Sequence, residues 1–262
     1  MPDLRRVTVV LDVISKGRGP LTVTDLATRT GLSRSSVHRI LQALEREQYV
    51  TRVAARTCYT LGPGLLNFGI DAHLRLVSAN RSHLIALSRA LGENTELAVV
   101  GGHNAVIVDG VSGPEPLGGT ASIGKRFPLH ANGLGKALLS RITDSSLHSL
   151  LQGPMPRFTP ATVTDRDELV NQLETIRRLN VAIDAEEHRT GVCALATAIN
   201  APIGGLQAIG VVIPTRRMRQ KLGVAIEALA RFNPQIDVMA AKTALAAELT
   251  SIETRPGATF TP

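Results

Sequence analysis

The sequence predicts an α+β protein in two parts: an N-terminal winged helix-turn-helix, then a larger domain built on an antiparallel sheet. Three observations carry this. Apolar residues recur at helical spacing from Leu4 to Leu44, interrupted by short turns with capping residues. Two β-rich runs follow at once, Tyr49–Val53 and Thr57–Leu61. Beyond Asn80, strands come in meanders with helices interspersed rather than in strict alternation.

In the first part, Leu4, Val7, Leu11 and Ile14 mark an amphipathic helix that stops at Gly17-Arg18-Gly19-Pro20. Thr22 or Thr24 caps a second helix bearing Leu26 and Ala27, which Gly31 ends in a left-handed conformation. Ser33 caps a third helix whose buried stripe is Val37, Ile40, Leu41 and Leu44. The residues facing outward near its start are Arg34, Ser35, Ser36, His38, Arg39 and Gln42, all hydrogen-bonding and none acidic. The acids Glu45 and Glu47 come only at the far end. The start of a recognition helix is the part that reaches base edges, and Arg and Ser also contact phosphates, so this face fits duplex DNA. The two β-rich runs make a hairpin with Arg52 and Arg56 near its tip, suited to phosphate or minor-groove contact. Cys58, inside a strand, reads as a packing residue.

Charge agrees with this division. The net charge is +7, of which residues 1–60 hold +5 and the remaining two hundred or so only +2. Aromatics make up 3% with no Trp, which argues against a stacking platform for single-stranded nucleic acid. There is no apolar run long enough to span a membrane, and the N-terminus lacks a signal-peptide pattern. Two cysteines are too few for a disulfide framework and lack metal-ligand spacing. The expectation is a cytoplasmic protein without metal or cofactor.

The stretch GLSRSSVHRILQALEREQYV, with the hairpin exit YTLGPGLLNFG, closely resembles the winged-helix regulators of the isocitrate lyase regulator (IclR) family. LHANGLGKALLS and VAIDAEEHRTGVCALATAI resemble that family's effector domain, so the likeness runs from about Leu4 to about Ala246. The resemblance implies a transcription factor, repressor or activator, that forms a homodimer or homotetramer. It also implies binding to palindromic double-stranded operator DNA, modulated by a small metabolite, and a GAF/PAS-like effector domain.

On this reading, residues 1–61 are the DNA-binding domain, 62–78 a linker helix after the break Gly62-Pro63-Gly64, 79–246 the effector and oligomerisation domain, and 247–262 a flexible tail. The pattern within 79–246 predicts a helix over 81–91, strands over 95–100 and 105–109, and a further strand near 120–123. It then gives helices over 134–140 and 164–179, strands over 181–186, 193–199 and 206–213, and a long last helix from Met218 beyond Ala240.

Two stretches could carry chemistry. Gly133-Leu134-Gly135-Lys136 lacks the spacing of a phosphate loop, but a Gly-bearing turn into a helix can present backbone N–H groups to a carboxylate. The resemblance implies that Gly133 and Leu134 contribute to the effector pocket. The segment DAEEHRTGVC, Asp184 to Cys193, offers three carboxylates, a histidine and a thiol. A thiol-dependent hydrolase using Cys193 and His188 is the enzymatic alternative, yet an apolar strand raises a thiol pKa rather than lowering it. Zinc would need ligands that no second cluster supplies. A DNA-binding protein that ignores effectors is the other alternative.

The resemblance places Asp184 and the following strands in the pocket, and here the chain departs from the family. Ala194 occupies the usual cysteine position, one residue after Cys193, and a one-residue shift in a strand moves a side chain to the other face. The family's Ser-x-Ser-Gly-Pro reads Gly210-Val211-Val212-Ile213-Pro214, so Gly210 and Val212 replace two hydroxyls. These changes predict a more apolar pocket with Asp184 as its main charge. It would suit an aromatic acid, an ester, a lactone or a cation better than a small α-keto acid. Glu187 and His188 are expected in a solvated or salt-bridged turn.

Overall fold

The structure, a computed structural model, describes residues 3–17, 19–53, 57–67, 70–114, 123–202 and 205–253. The chain divides into two compact units, Met1–Ala72 and His73–Pro262.

In the first unit, α1 (Leu4–Ser15) starts at Asp3, whose carboxylate accepts the Arg5 N–H at 3.1 Å. Thr22 rather than Thr24 caps α2 (Val23–Thr30), in a reciprocal pair with Asp25. Gly31 ends α2 at φ +70°, a conformation glycine adopts without strain. Ser33 caps α3 (Arg34–Arg46) by accepting the Ser36 N–H. Strands β2 (Val50–Val53) and β3 (Cys58–Leu61) form the hairpin, and a two-residue strand β1 (Leu21–Thr22), too short to leave a periodic signal, pairs with β3. Val10, Ile14, Leu26, Val37, Ile40, Leu41, Leu44 and Tyr59 close the core.

The second unit is a six-stranded antiparallel sheet, β4 (Asn94–Gly101), β5 (Asn104–Val111), β6 (Arg126–Pro128), β7 (Ala182–Ala185), β8 (Val192–Ala201) and β9 (Gly205–Pro214), in the order β6-β5-β4-β9-β8-β7. One face packs on α4 (Ile70–Leu91), α8 (Thr215–Phe232) and α9 (Val238–Glu253). The other packs on α5 (Gly133–Leu139), α6 (Asp144–Leu150) and α7 (Arg166–Leu179).

Several elements differ from expectation. The periodic segment begun before residue 78 and the helix expected over 81–91 are one helix, α4. Asn80 lies buried inside it, donating to Leu76 O at 2.8 Å and Gln207 Oε1 at 2.9 Å. The long last helix is two, because Pro234 cannot continue α8 and the chain turns at Asn233. The tail expected from residue 247 is helical to Glu253, with Leu245 and Leu249 in the core. The strand expected near 120–123 falls largely outside the described residues, and β6 and α6 went unpredicted.

Candidate DNA-binding face and effector pocket

Helix α3 buries Val37, Ile40, Leu41 and Leu44 and leaves Arg34, Ser35, His38, Arg39 and Gln42 exposed, with Ser36 half-buried. Ser35, His38, Arg39 and Gln42 stand three and four residues apart, so they share one face. Ser33 is spoken for: its hydroxyl caps the helix and meets the hydroxyls of Ser35 and Ser36. Thr22 is likewise engaged with Asp25, while Thr24 is exposed. In the hairpin, the Arg52 guanidinium donates to the Tyr59 hydroxyl at 2.7 Å and lies 5.4 Å from that ring's centre, which orients an otherwise exposed cation. Arg56 lies outside the described residues.

In the second unit, antiparallel register sets the candidate pocket's floor. Asp184 pairs with Ala194, Ala194 with Val212, and Val212 with Asn94, so these four cross the sheet in one row. The next row on the same face is Ala182, Ala196, Gly210 and Glu96. Over these rows lies the start of α5. A Cβ placed on Gly133 would sit 3.5 Å from those of Asp184 and Ala194. Gly210 is needed for a similar reason: a Cβ there would lie 3.0 Å from Leu134 Cδ2 and 2.9 Å from Leu195 O. Gly133, Leu134, Asp184, Ala194, Gly210 and Val212 are therefore neighbours, drawn from four elements.

A buried charge cluster borders this floor. Asp184 accepts the backbone N–H of Glu187 at 2.7 Å, and Glu187 pairs with Lys136. Of the solvated or salt-bridged turn expected for Glu187, the salt-bridged form is the one present, and it is buried: the turn after β7 folds inward because Thr159 and Thr162 donate to the Glu187 carbonyl oxygen. Burial pushes the Asp184 carboxyl up to about 7, with the Glu187 charge adding to the shift and Lys136 opposing it. Burial pulls the Lys136 pKa down, but the charge and hydrogen bond of Glu187, with the Glu248 and Asp184 charges, together outweigh it and hold the ammonium above its usual range. His188 packs edge-on against the rings of Phe127 and Phe158, and burial lowers its pKa. The oxygen Glu187 Oε2 and the nitrogen His188 Nδ1 are buried without a hydrogen bond among the described residues.

Cys193 lies elsewhere. It packs in the α4/α8 core, its sulfur 3.4 Å from Thr215 Oγ1, whereas His188 packs on Phe127 in the core of the opposite face. Burial pushes the thiol up to about 12. A thiolate with an adjacent base is not assembled.

The sequence does not reveal the surroundings of three residues of this region. Lys136 takes its partner from 51 positions away. Lys125, at the exposed edge, lies over the Phe127 ring at 4.8 Å. Glu96 occupies the floor beside Gly210, and burial raises its carboxyl to about 6 against the pull of Lys125. Only its break in the alternation Thr-Glu-Leu-Ala-Val-Val could have marked it.

Comparison with known proteins agrees with both units. Residues 4–54 match the IclR helix-turn-helix domain, and residues 71–238 match the C-terminal domain of bacterial IclR transcriptional regulators. The HTH-type transcriptional regulator Rv1719 of Mycobacterium tuberculosis is 34% identical over 82% of this chain and 83% of its own length. The HTH-type transcriptional repressor AllR of Escherichia coli is 30% identical over 83% and 82%. Among solved structures, an IclR homolog from Microbacterium hydrocarbonoxydans complexed with 4-hydroxybenzoate shares the fold at TM-score 0.71, with 22% identity and 95% and 99% coverage. The capped helix-turn-helix, the six-stranded domain that follows it in the chain and these relatives lead to one assignment: the chain belongs to the IclR family of bacterial transcriptional regulators.

Proposed function

We propose that this regulator binds operator DNA through α3 and the wing, and that a small molecule held on the Asp184–Val212 floor modulates that binding. The observation that carries the first half is the exposed face of α3, where Arg34, Ser35, His38, Arg39 and Gln42 are all hydrogen-bonding and none is acidic. Arg39 and Gln42 suit base edges, while Arg34, Ser35, Ser36 and Arg52 suit phosphates. The protein acts in the cytoplasm as a homodimer or homotetramer. Two-fold related heads would address half-sites about 34–36 Å apart, or a multiple of that.

The second half is supported by six residues meeting beneath α5, in the unit that matches the IclR C-terminal domain, and by the solved IclR homolog complexed with 4-hydroxybenzoate. Here the floor is apolar around its acids: Ala194, Ala196, Gly210 and Val212 contribute no hydroxyl or thiol. The cap of α5 also bears on ligand choice, since the Asn132 side chain already accepts the Gly135 N–H. Selecting bound fragments from randomised duplex DNA with the full-length protein, then measuring the winners by gel shift, tests the reading. A palindromic consensus lost on Arg39→Ala is the expected result; recovery of no enriched sequence would overturn it.

A further inference from the structure

We propose that a cavity between α6 and the β5–β6 edge of the sheet binds an uncharged, compact apolar molecule carrying one hydroxyl group, and that His130 accepts the hydrogen bond from that hydroxyl. The cavity shares no lining residue with the Asp184–Val212 floor, and its occupancy does not depend on the effector reading above.

The cavity holds about 340 Å³, within the range of small-molecule sites. Leu129, Leu139, Leu150, Leu151 and Met155 supply most of its apolar wall, and none of its lining residues is Asp, Glu, Lys or Arg. One side is the segment from Leu150 to Pro156, which two imidazoles pin at either end. His103 Nδ1 lies 3.1 Å from Leu150 O, and His130 Nε2 lies 3.1 Å from Pro156 O. That wall is thereby tied to the β4–β5 turn and to the turn before α5.

The same two bonds fix the chemistry of the rings. A carbonyl oxygen only accepts, so the nitrogen facing it carries the hydrogen, and in a neutral ring the other nitrogen is an acceptor. For His130 that acceptor is Nδ1. Burial lowers the His130 pKa, against the opposing pull of Pro156 O and the Glu187 charge, which keeps the ring neutral at neutral pH. The residue is 5% exposed, and Nδ1 makes no hydrogen bond among the described residues. Among those residues the side-chain atoms sealed from solvent without a partner are Asp109 Oδ2, Glu187 Oε2 and His188 Nδ1, so His130 Nδ1 opens onto accessible space. A hydroxyl donor meets that lone pair, whereas an ether sets oxygen against nitrogen with no proton between them. An ion would enter an apolar wall with no counter-charge. His103 is exposed and Asn104 only half-buried, so water competes at both, and the buried acceptor of His130 is the one that discriminates.

4-Ethylphenol, 4-ethylanisole and 4-ethylbenzoate share a ring and an ethyl group and differ in donor and charge, the phenol being uncharged at about pH 7.5. Met155 lines the cavity, whereas Met218 packs in the α4/α8 core. In full-length protein isotope-labelled at the methionine methyls and read by NMR, 4-ethylphenol should shift the Met155 signal to saturation and leave that of Met218 in place. Met155→Leu and Met218→Leu identify the two signals. 4-Ethylanisole should bind about tenfold more weakly, and 4-ethylbenzoate should not shift Met155 at the same concentrations. His130→Gln keeps an N–H for Pro156 O and removes the acceptor, so it should bring the phenol to within about threefold of the ether. Circular dichroism checks that this variant is folded; if it is not, the three ligands on the unaltered protein decide. A Met155 signal unmoved by millimolar 4-ethylphenol, equal affinity for phenol and ether, saturable binding of 4-ethylbenzoate at Met155, or a preference that survives in folded His130→Gln would each overturn the proposal.

Discussion

The ammonium of Lys136 lies 2.5 Å from Glu187 Oε1, with the two side chains 1% and 5% exposed. The pair joins α5 to the turn between β7 and β8, and Gln172 of α7 completes it. Desolvating two ions offsets most of their attraction, so the pair adds little net stability compared with apolar residues of the same shape. Breaking it is another matter. Lys136→Met should destabilise the protein by about 3–5 kcal/mol by stranding the Glu187 charge. Adding Glu187→Leu should restore most of that loss. Denaturant unfolding of the two variants measures both; equal stability of Lys136→Met and wild type would deny the pair its structural role.

Glu96 and Asp184 have folded pKa values of about 6 and about 7, both above the ordinary carboxyl range. For an acid the sign runs against ionisation in the folded state. Their stabilising share is present while they are protonated and is lost as pH rises from about 4 through those values. Glu96→Gln, which keeps the shape and removes the charge, should therefore stabilise the protein by on the order of 1–2 kcal/mol near pH 7.5. Near pH 4.5 the effect should vanish. Thermal melts at the two pH values give the comparison, and a variant that melts lower near pH 7.5 contradicts it.

Leu134 Cδ2 already fills the space above Gly210, with Leu195 O and Ala196 Cβ closing the other sides. Restoring a family-type hydroxyl by Gly210→Ser should cost about 1–3 kcal/mol through overpacking. The double variant Gly210→Ser with Leu134→Ala should show less than the sum of the single losses, because the serine then occupies vacated volume. Additive losses in chemical denaturation would count against a shared site.

On α3, stability and DNA affinity should separate. Ser33→Ala removes the cap and should destabilise the first unit by about 1 kcal/mol. Arg39→Ala should leave stability alone, weaken operator binding, and reduce the slope of log affinity against log salt by about 1 if Arg39 holds a phosphate. Unchanged affinity in titrations across salt concentrations would remove Arg39 from the interface.

How much of this the sequence revealed depended on the range of the interactions. Ser33, Gly31 and the stripe Val37–Leu44 are local devices whose partners lie within a few residues, so capping and periodicity expose them. The place of Ala194 followed from strand parity, which is also local. Lys136 and Glu187 could not be paired beforehand, because only the fold brings α5 onto the turn after β7. The boundary expected between the linker over 62–78 and the helix over 81–91 is absent, and the buried bond of Asn80 to the distant Gln207 is invisible to periodicity for the same reason. Pro234 is a local break signal, and it divides the stretch whose apolar pattern reads as one long helix. Glu96 gave one polar letter in an apolar strand, and its importance appears only when β9 places Gly210 beside it.

The one-residue offset between Cys193 and Ala194 has a consequence for oxidative stress. Cys193 is sealed behind the sheet as a neutral thiol, and Cys58 is buried in the wing. Neither offers the exposed thiolate that peroxide attacks first. Ala194, on the opposite face of the strand, carries only a methyl group. Both thiols should therefore stay unoxidised under peroxide, and shifts in the cell's thiol pool should leave operator binding unchanged.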